Sequence, residues 1–334
     1  MAKRKRKNSY QQALPKWVIS VFAVIAVILS ILTFGGDMIG LDTSLLTECM
    51  NTIDRILYGG PTSPTPTLPT SGQAKVYIID VGQGESILIT TEEKSMLIDA
   101  GENNMGDDVL TFLDTLGLEK IDYAIATHPH SDHIGGLDTV MQEIPVGEVF
   151  FGPIPDKIVP TTKTFEDVLD VIEEKDIPLS TTTPGQTIDL GSGAVVTILG
   201  PVTEDIDDLN NTSVVCRLDF GETSFLFNGD QETPMEELLL QSGADLDCDM
   251  MTMGHHGSST SSSQEYLDAV SPEYASISCG RGNKYGHPHE ETVEKLEEMG
   301  VEYYRTDLSG NITFTSDGEN ISVRTENHNR TKRS

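Results

Sequence analysis

Residues 128–133 read His-Pro-His-Ser-Asp-His, so three imidazoles and a carboxylate fall within six residues. Imidazole is a common ligand for zinc-like ions and carboxylate suits harder divalent ions, so a mixed cluster can hold two metals side by side. The run follows the apolar stretch 123–127 and precedes Ile134-Gly135-Gly136-Leu137. Because ligands in a loop at a strand end can turn toward one point, this context predicts a metal site there.

Six further motifs surround the histidine cluster in a fixed order. They are Ile-Asp-Val-Gly-Gln-Gly-Glu-Ser at 79–86, Leu-Ile-Asp-Ala-Gly at 97–101, Asn-Gly-Asp at 228–230, Gly-His-His-Gly-Ser at 254–258, Ser-Ile-Ser-Cys-Gly at 276–280 and Tyr-Gly-His-Pro-His at 285–289. The spacing His-x-His-x-Asp-His resembles the signature of the metallo-β-lactamase fold superfamily. The ordered motifs, over roughly residues 75–323, resemble the extracellular hydrolase domain of ComEC-type competence proteins.

Strand and helix patterns alternate through the proposed domain, residues 75–325. Strands are expected at 76–80, 86–90, 96–99, 123–127, 187–190, 194–199, 214–220, 224–228, 249–253 and 274–278. Helices are expected at 107–116, 137–143, 165–175 with Thr164 as N-cap, 236–241, 264–270 and 290–299. Two sheet-forming halves with flanking helices suit an α/β fold, a four-layer αββα sandwich with its loops at one edge of the sheets.

The amino-terminal part differs sharply from this domain. Six basic residues and no acid occupy 1–16, and 17–34 is an apolar run of 18 residues, the lower limit for a transmembrane helix. The basic flank predicts a cytoplasmic N-terminus, a single-pass anchor in the cytoplasmic membrane and an extracellular catalytic domain. A cleavable signal peptide is the alternative, and it also exports the domain. Residues 35–74 form an expected stalk with a Pro/Thr-rich linker, and 326–334 a flexible tail.

The resemblance implies two divalent ions, zinc or manganese, and a set of ligands. These are His128, His130, Asp132, His133, Asp230 as the bridge, and His256, with His255 as the other choice at that position. Asp99 is expected to orient a ligand rather than bind metal. No histidine lies between His133 and His255, so the third histidine of the first site is missing, and water or Asn211 would fill in. His130 stands where competence-type domains often have Asp.

The chemistry implied is hydrolysis by a metal-bridged hydroxide, with Asp132 and Asp99 in the catalytic group. His287 is the candidate general acid for the leaving group, and Ser258 and Asn211 are candidate substrate contacts. A phosphodiesterase or nuclease is the first expectation. A hydrolase of phosphorylcholine, teichoic-acid or other small esters or of lactams is the second, and a non-catalytic metal-binding domain the third.

Charge weighs against a nucleic-acid substrate. Beyond Lys16 the chain carries 16 basic against 53 acidic residues, a net charge of −37, which repels a polyanion such as DNA. No Lys/Arg-aromatic patch is visible in the sequence, and no protein partner can be inferred from it. DNA import does not follow from the resemblance, because a channel needs many membrane spans and this sequence offers one candidate.

Overall fold

The computed structural model describes residues 70–326. The expected membrane helix at 17–34, almost all of the stalk and most of the tail lie outside the described residues. Among the residues that are described, no helix has the length and apolar character needed to cross a membrane.

Fifteen strands form two sheets in this part of the chain. The strands of the first sheet are β1 Ala74–Ile78, β2 Ile87–Thr90, β3 Ser95–Ile98, β4 Ile121–Ala126, β5 Val146–Phe151, β6 Leu179–Thr181, β14 Ile312–Ser316 and β15 Ile321–Thr325. Their order is β15-β14-β1-β2-β3-β4-β5-β6. The pairs from β3 to β6 are parallel and the others antiparallel.

The second sheet has seven strands. They are β7 Thr187–Asp189, β8 Ala194–Gly200, β9 Val215–Phe220, β10 Thr223–Phe227, β11 Met250–Thr252, β12 Tyr274–Ile277 and β13 Glu302–Arg305. Their order is β13-β12-β11-β10-β9-β8-β7. The four strands from β10 to β13 run parallel, so their carboxyl ends lie along one edge.

Eight α-helices connect the strands in the described residues. They are α1 Gly106–Thr115, α2 Ser131–Ile134, α3 Leu137–Glu143, α4 Lys163–Glu174, α5 Thr233–Ser242, α6 Gln264–Val270, α7 Glu290–Met299 and α8 Thr306–Ser309. Short 3₁₀ turns occur at Asp156–Ile158, Asn210–Thr212 and Gly254–Gly257.

Three apolar clusters define four layers. The central cluster joins the facing sides of both sheets, with Val76 and Ile78 from β1 and Phe225 and Phe227 from β10. Tyr77 belongs instead to the cluster beneath α1, α3 and α4, as the alternation of side chains along a strand requires. A third cluster packs α5, α6 and α7 on the outer side of the second sheet. The architecture is therefore the expected αββα sandwich.

Several local expectations need correction. Helix α4 begins at Lys163, and Thr162, not Thr164, is its N-cap, because the Thr162 side chain accepts a hydrogen bond from the Phe165 amide. Strands β5, β6, β13, β14 and β15 were not expected from the sequence pattern. Strand β14 nevertheless lies between β15 and β1, second from one edge of the first sheet, so it is integral to the fold.

Candidate metal centre

The predicted ligand motifs follow strands of both sheets. Asp99 follows β3 and His128 follows β4, and these two strands are parallel neighbours. Asp230, His256 and His287 follow β10, β11 and β12, which are also parallel neighbours. Since parallel strands end at the same edge of a sheet, loops distant in sequence meet there.

The side chains form two groups whose candidate ligand atoms lie within 4.8 Å of one another. The first group is His128, His130 and Asp230, and its two imidazoles approach to 3.0 Å between His128 Nε2 and His130 Nδ1. The second group is Asp132, His133 and His256. Here His133 Nε2 lies 3.2 Å from His256 Nε2, which lies 3.3 Å from Asp132 Oδ2.

Asp230 lies between the two groups. Its Oδ2 is 3.8 Å from His128 Nε2, whereas its Oδ1 is 3.1 Å from His133 Nε2 and 3.6 Å from His256 Nε2. One carboxylate therefore presents a different oxygen to each group. This is the arrangement that a bridging ligand between two metal ions requires.

The donor set fits divalent metal ions. Asp230 Oδ1 is buried without a hydrogen-bond partner, and its contact with His133 Nε2 lacks hydrogen-bond geometry. His133 and His256 use Nδ1 for hydrogen bonds to Asp99 and to the Ser278 carbonyl, so their Nε2 atoms face each other. A divalent cation among these atoms would displace the Nε2 proton of a protonated imidazole and would give Asp230 Oδ1 and both Nε2 atoms a common partner.

Electrostatics couples the carboxylates and the imidazoles. Burial lowers the pKa of His133, but Asp230 and Asp99 outweigh it and hold this pKa well above its usual value. Burial raises the pKa of Asp230, but His133 and His256 outweigh it and hold this pKa well below its usual range. Asp230 is therefore ionised at neutral pH, as a bridging ligand must be.

A layer of buried polar groups fixes the ligands. Asp99 Oδ2 accepts from His133 Nδ1 at 2.7 Å and from the Thr127 hydroxyl, while Oδ1 accepts from the Thr127 amide at 2.9 Å. Ser213 Oγ lies 3.2 Å from His128 Nδ1 and accepts from the Asp230 amide at 3.0 Å. Asp99 lies where the orienting role expected of it requires, whereas no role was expected for Ser213.

Replacing Asp99 by Asn should weaken metal binding by about 10- to 100-fold, because the amide cannot accept from His133 as the carboxylate does. Equilibrium titration of the metal-free protein with Mn²⁺ or Zn²⁺ measures this change. Asp138→Asn is the matched control and should leave the affinity unchanged, since the hydrogen bonds of Asp138 in the described structure are those from Thr139 on α3. Equal affinities for Asp99→Asn and wild type would contradict the orienting role.

His255 and His256 both turn toward the centre because both have left-handed backbone conformations, with φ of +50° and +56°. Consecutive residues of a strand would point to opposite sides. His255 Nε2 lies 3.7 Å from Asp230 Oδ2, and its Nδ1 lies 3.3 Å from Glu232 Oε1. His256 faces the second group, as expected, and His255 faces the oxygen of Asp230 that serves the first.

The Asp-Val-Gly-Gln-Gly motif packs against α2, the short helix that carries Asp132 and His133. Gly84 has φ of +140°, and a Cβ there would lie 2.3 Å from the Asp132 carbonyl oxygen, so only glycine allows this approach. The next amide, of Glu85, donates to that same oxygen at 3.0 Å. Glu85 is buried beside Asp99 and His133, and burial raises its pKa to about 7. His133 Nδ1 is already hydrogen-bonded to Asp99, so it is not free to bind a third metal ion. Glu85 therefore packs behind the ligands and is not itself assigned as a ligand.

An open cleft of about 330 Å³ lies over the two groups. Its lining comprises Gln83, His130, Ser131, Asp132, Asn210, Asp230, His255, His256, Tyr285 and His287. His287 stacks on the ring of His256 with 6.2 Å between centroids. Burial, His256 and His255 lower the pKa of His287 to about 4. Its ring is therefore neutral at pH 7. The general-acid role expected of His287 is then limited to a hydrogen bond that its N–H donates to the leaving group.

Two expected substrate contacts lie away from this lining. Asn211 Oδ1 accepts from the Glu232 amide at 3.0 Å, and Asn210 lines the cleft in its place. Ser258 Oγ is 3.0 Å from Thr260 Oγ1, which stabilises its own loop. The sequence interpretation missed Gln83, whose Nε2 is buried without a partner in the described structure. The motif at 79–86 was recognised in the sequence, but it does not show that the Gln83 side chain lines the cleft.

The αββα fold and its His/Asp centre define a protein class with a metal site built on strand-end loops. The chain belongs to the metallo-β-lactamase superfamily, whose family model matches residues 79–281. This match confirms the predicted family. Members of the superfamily are generally metal-dependent hydrolases. The number and identity of the ions do not follow from membership.

Curated relatives include competence proteins. Competence protein ComA of Neisseria gonorrhoeae is 31% identical over 261 residues, which are 78% of this chain and 35% of that protein. ComE operon protein 3 of Bacillus subtilis is 28% identical over 262 residues, 73% of this chain and 33% of that protein. The chain thus spans about a third of the length of these relatives. Among solved structures, the metallo-β-lactamase fold protein YhfI from Bacillus subtilis matches 70% of this chain and 97% of its own, with 13% identity and a TM-score of 0.46.

Proposed function

We propose that this protein is a metal-dependent phosphodiesterase. The observation that carries the proposal is the placement of Asp230, whose two oxygens face two separate groups of histidine and aspartate ligands. These residues would hold two divalent ions, which when bound would supply a nucleophile from water and neutralise charge on the phosphoryl oxygens. Zinc and manganese both suit a site of mixed imidazole and carboxylate ligands.

The contacts support a proposed set of ligands for each ion. We assign His128, His130 and Asp230 to the first ion, and Asp132, His133, His256 and Asp230 to the second. His255 completes the first set and takes the place of the missing histidine, since its Nε2 faces the same Asp230 oxygen as His128. Glu232, beside His255 Nδ1, orients that ring as Asp99 orients His133.

The chain's other cleft residues bind and orient the substrate. Gln83 Nε2 is a donor without a partner in the described structure, and it can bind a non-bridging phosphate oxygen. His287, at the rim of the second group, donates from its ring to the leaving oxygen. No serine or cysteine nucleophile is required, because the nucleophile comes from water.

A substrate panel tests the proposal. The purified full-length protein is incubated with Mn²⁺ or Zn²⁺ and single-stranded DNA, bis-nitrophenyl phosphate, a phosphorylcholine ester or a β-lactam. The proposal expects cleavage of the phosphodiesters and none of the lactam. Asp167→Ala, which removes a partly exposed carboxylate on α4, is the control and should behave as wild type. Cleavage of the lactam alone would overturn the proposal.

A hydrolase of small or cell-wall phosphodiesters is the second candidate. The acidic composition favours it, because the net charge of −31 opposes binding of long polyanions. Cleavage of the phosphorylcholine ester and bis-nitrophenyl phosphate without cleavage of DNA would select it.

We also infer that the domain is anchored and exported, from the basic residues at 1–16 and the apolar run at 17–34. Protease added to intact cells should then cut within 59–72 and release the domain, while an N-terminal tag stays protected. A carboxyl-terminal tag that cannot be reached from outside would contradict export.

A further inference from the structure

Two chain segments along one rim of the cleft contain no acidic residue, although the chain as a whole is strongly acidic and Glu232 from outside these segments lies beside His255. Residues 250–264 contain no Asp or Glu, and neither do residues 274–289. These two segments contribute His255, His256, Tyr285 and His287 to the cleft lining. A polyanion that approaches over these two segments meets none of their own carboxylates, so net charge alone does not exclude it.

Tyr285 projects from this rim. It is 52% exposed, and it is the sole aromatic residue among the exposed large hydrophobic side chains between 70 and 326. Its ring stacks on His287 with 5.6 Å between centroids and 23° between planes, and His287 stacks in turn on His256. A row of three rings therefore leads from solvent to the second ligand group.

The loop that carries Tyr285 is fixed by Asn283. Asn283 Oδ1 accepts from the amides of Tyr285 at 3.1 Å and His287 at 3.0 Å. Its Nδ2 donates to the carbonyls of Gly280 at 2.9 Å and His287 at 2.6 Å. Exposure of the aromatic ring is thus imposed by a hydrogen-bonded turn, and the ring is held in position for a ligand.

Lys284 gives this position a positive charge. Its Nζ lies 4.8 Å from the centroid of the Tyr285 ring, and none of the described carboxylates pairs with it within 4.0 Å. A choline group would meet a like charge here. A nucleotide instead offers a base to the ring and a phosphate to the ammonium, and the flexible lysine side chain can leave the ring to reach that phosphate.

We propose that Tyr285 and Lys284 form an outer subsite that binds an unpaired base and an adjacent phosphate of a single-stranded nucleic acid. A neighbouring phosphodiester then lies over the two ligand groups. Bases in a duplex are stacked and do not present a free face, so the subsite selects single strands. The proposal rests on the proposed phosphodiesterase function for the substrate class, but the binding step needs no hydrolysis.

Fluorescence anisotropy tests the subsite on the full-length protein with Mn²⁺. The probes are a labelled single-stranded oligonucleotide with a phosphorothioate backbone, which resists hydrolysis, and an abasic oligonucleotide of the same length and backbone. Tyr285→Ala should weaken binding of the first probe by roughly five- to hundredfold, the usual effect of losing one stacked base. Tyr285→Phe, which keeps the ring, should bind it like wild type. The abasic probe should bind wild type and Tyr285→Ala equally.

Salt dependence tests Lys284 separately. Lys284→Ala should reduce the slope of log K against log salt by about 0.7, the value for one phosphate contact on a single strand. Lys120→Ala is the matched control, because Lys120 directly precedes β4 at the sheet edge opposite His128 and should leave the slope unchanged.

Three results would overturn the subsite: wild-type affinity in Tyr285→Ala, an equal loss for both probes, or displacement of the oligonucleotide by free phosphorylcholine. If the variants bind as expected but wild type cleaves no phosphodiester, the subsite stands and the proposed function fails. If wild type cleaves and Tyr285→Ala binds normally, the function stands and the subsite fails.

Discussion

Asp230→Ala should lose most of both metal ions, because it removes the carboxylate whose oxygens face His128 on one side and His133 and His256 on the other. Elemental analysis of the purified protein measures this as a fall from up to two ions per chain to a small fraction of one. Phosphodiester hydrolysis should fall to the rate of the metal-free protein.

Two further variants make this result specific. Asp230→Asn keeps the volume of the side chain and should also lose metal, because the amide retains one acceptor oxygen and no charge. Asp167→Ala should retain wild-type metal content, because among the described residues that carboxylate pairs with Lys163 on α4, away from the ligand groups. Full occupancy in both Asp230 variants, with a folded protein by circular dichroism, would show that the bridging assignment is wrong.

His287→Ala should leave the metal content intact and slow cleavage of poor leaving groups by roughly 10²- to 10⁴-fold. His287 contacts the ligand rings edge-on or stacked and binds none of the ligand atoms in the described structure. The loss should shrink for nitrophenolate, which departs without a proton. Parallel kinetics on bis-nitrophenyl phosphate and on DNA measure the difference.

The pKa of His287 refines this expectation. Burial and its neighbouring imidazoles lower the pKa to about 4, so the neutral ring acts through its N–H at pH 7. His287→Asn, which keeps a side-chain N–H donor, should therefore recover part of the rate that His287→Ala loses. Equal losses on good and poor leaving groups would instead indicate that His287 positions the substrate, and lost metal would make it a ligand.

The candidate ligand positions came from the family resemblance, and the sequence pattern placed His128 and Asp230 after apolar strands. His128 follows β4 and Asp230 follows β10, and the parallel order of strands brings such ends together. Helices α6 and α7 match their expected bounds at 264–270 and 290–299 for a related reason. Their apolar spacing and flanking loops are local, so no distant partner is needed to define them.

Features that depend on distant partners could not be predicted. Strand β14 becomes a sheet strand by pairing with β1, from the other end of the domain. The left-handed backbone that turns His255 toward Asp230 has no local signal in a residue other than glycine. The basic and aromatic rim at Lys284 and Tyr285 is inconspicuous in the sequence and becomes a feature only where the fold places it beside the metal centre.

Removal and return of metal tests the central claim most directly. The full-length protein is treated with a chelator, dialysed and assayed on bis-nitrophenyl phosphate while Mn²⁺ or Zn²⁺ is added back and bound metal is measured. The account predicts no hydrolysis by the metal-free protein and recovery of the rate as up to two ions bind per chain. A metal-free protein that hydrolyses the diester at the original rate would contradict a metal-dependent phosphodiesterase.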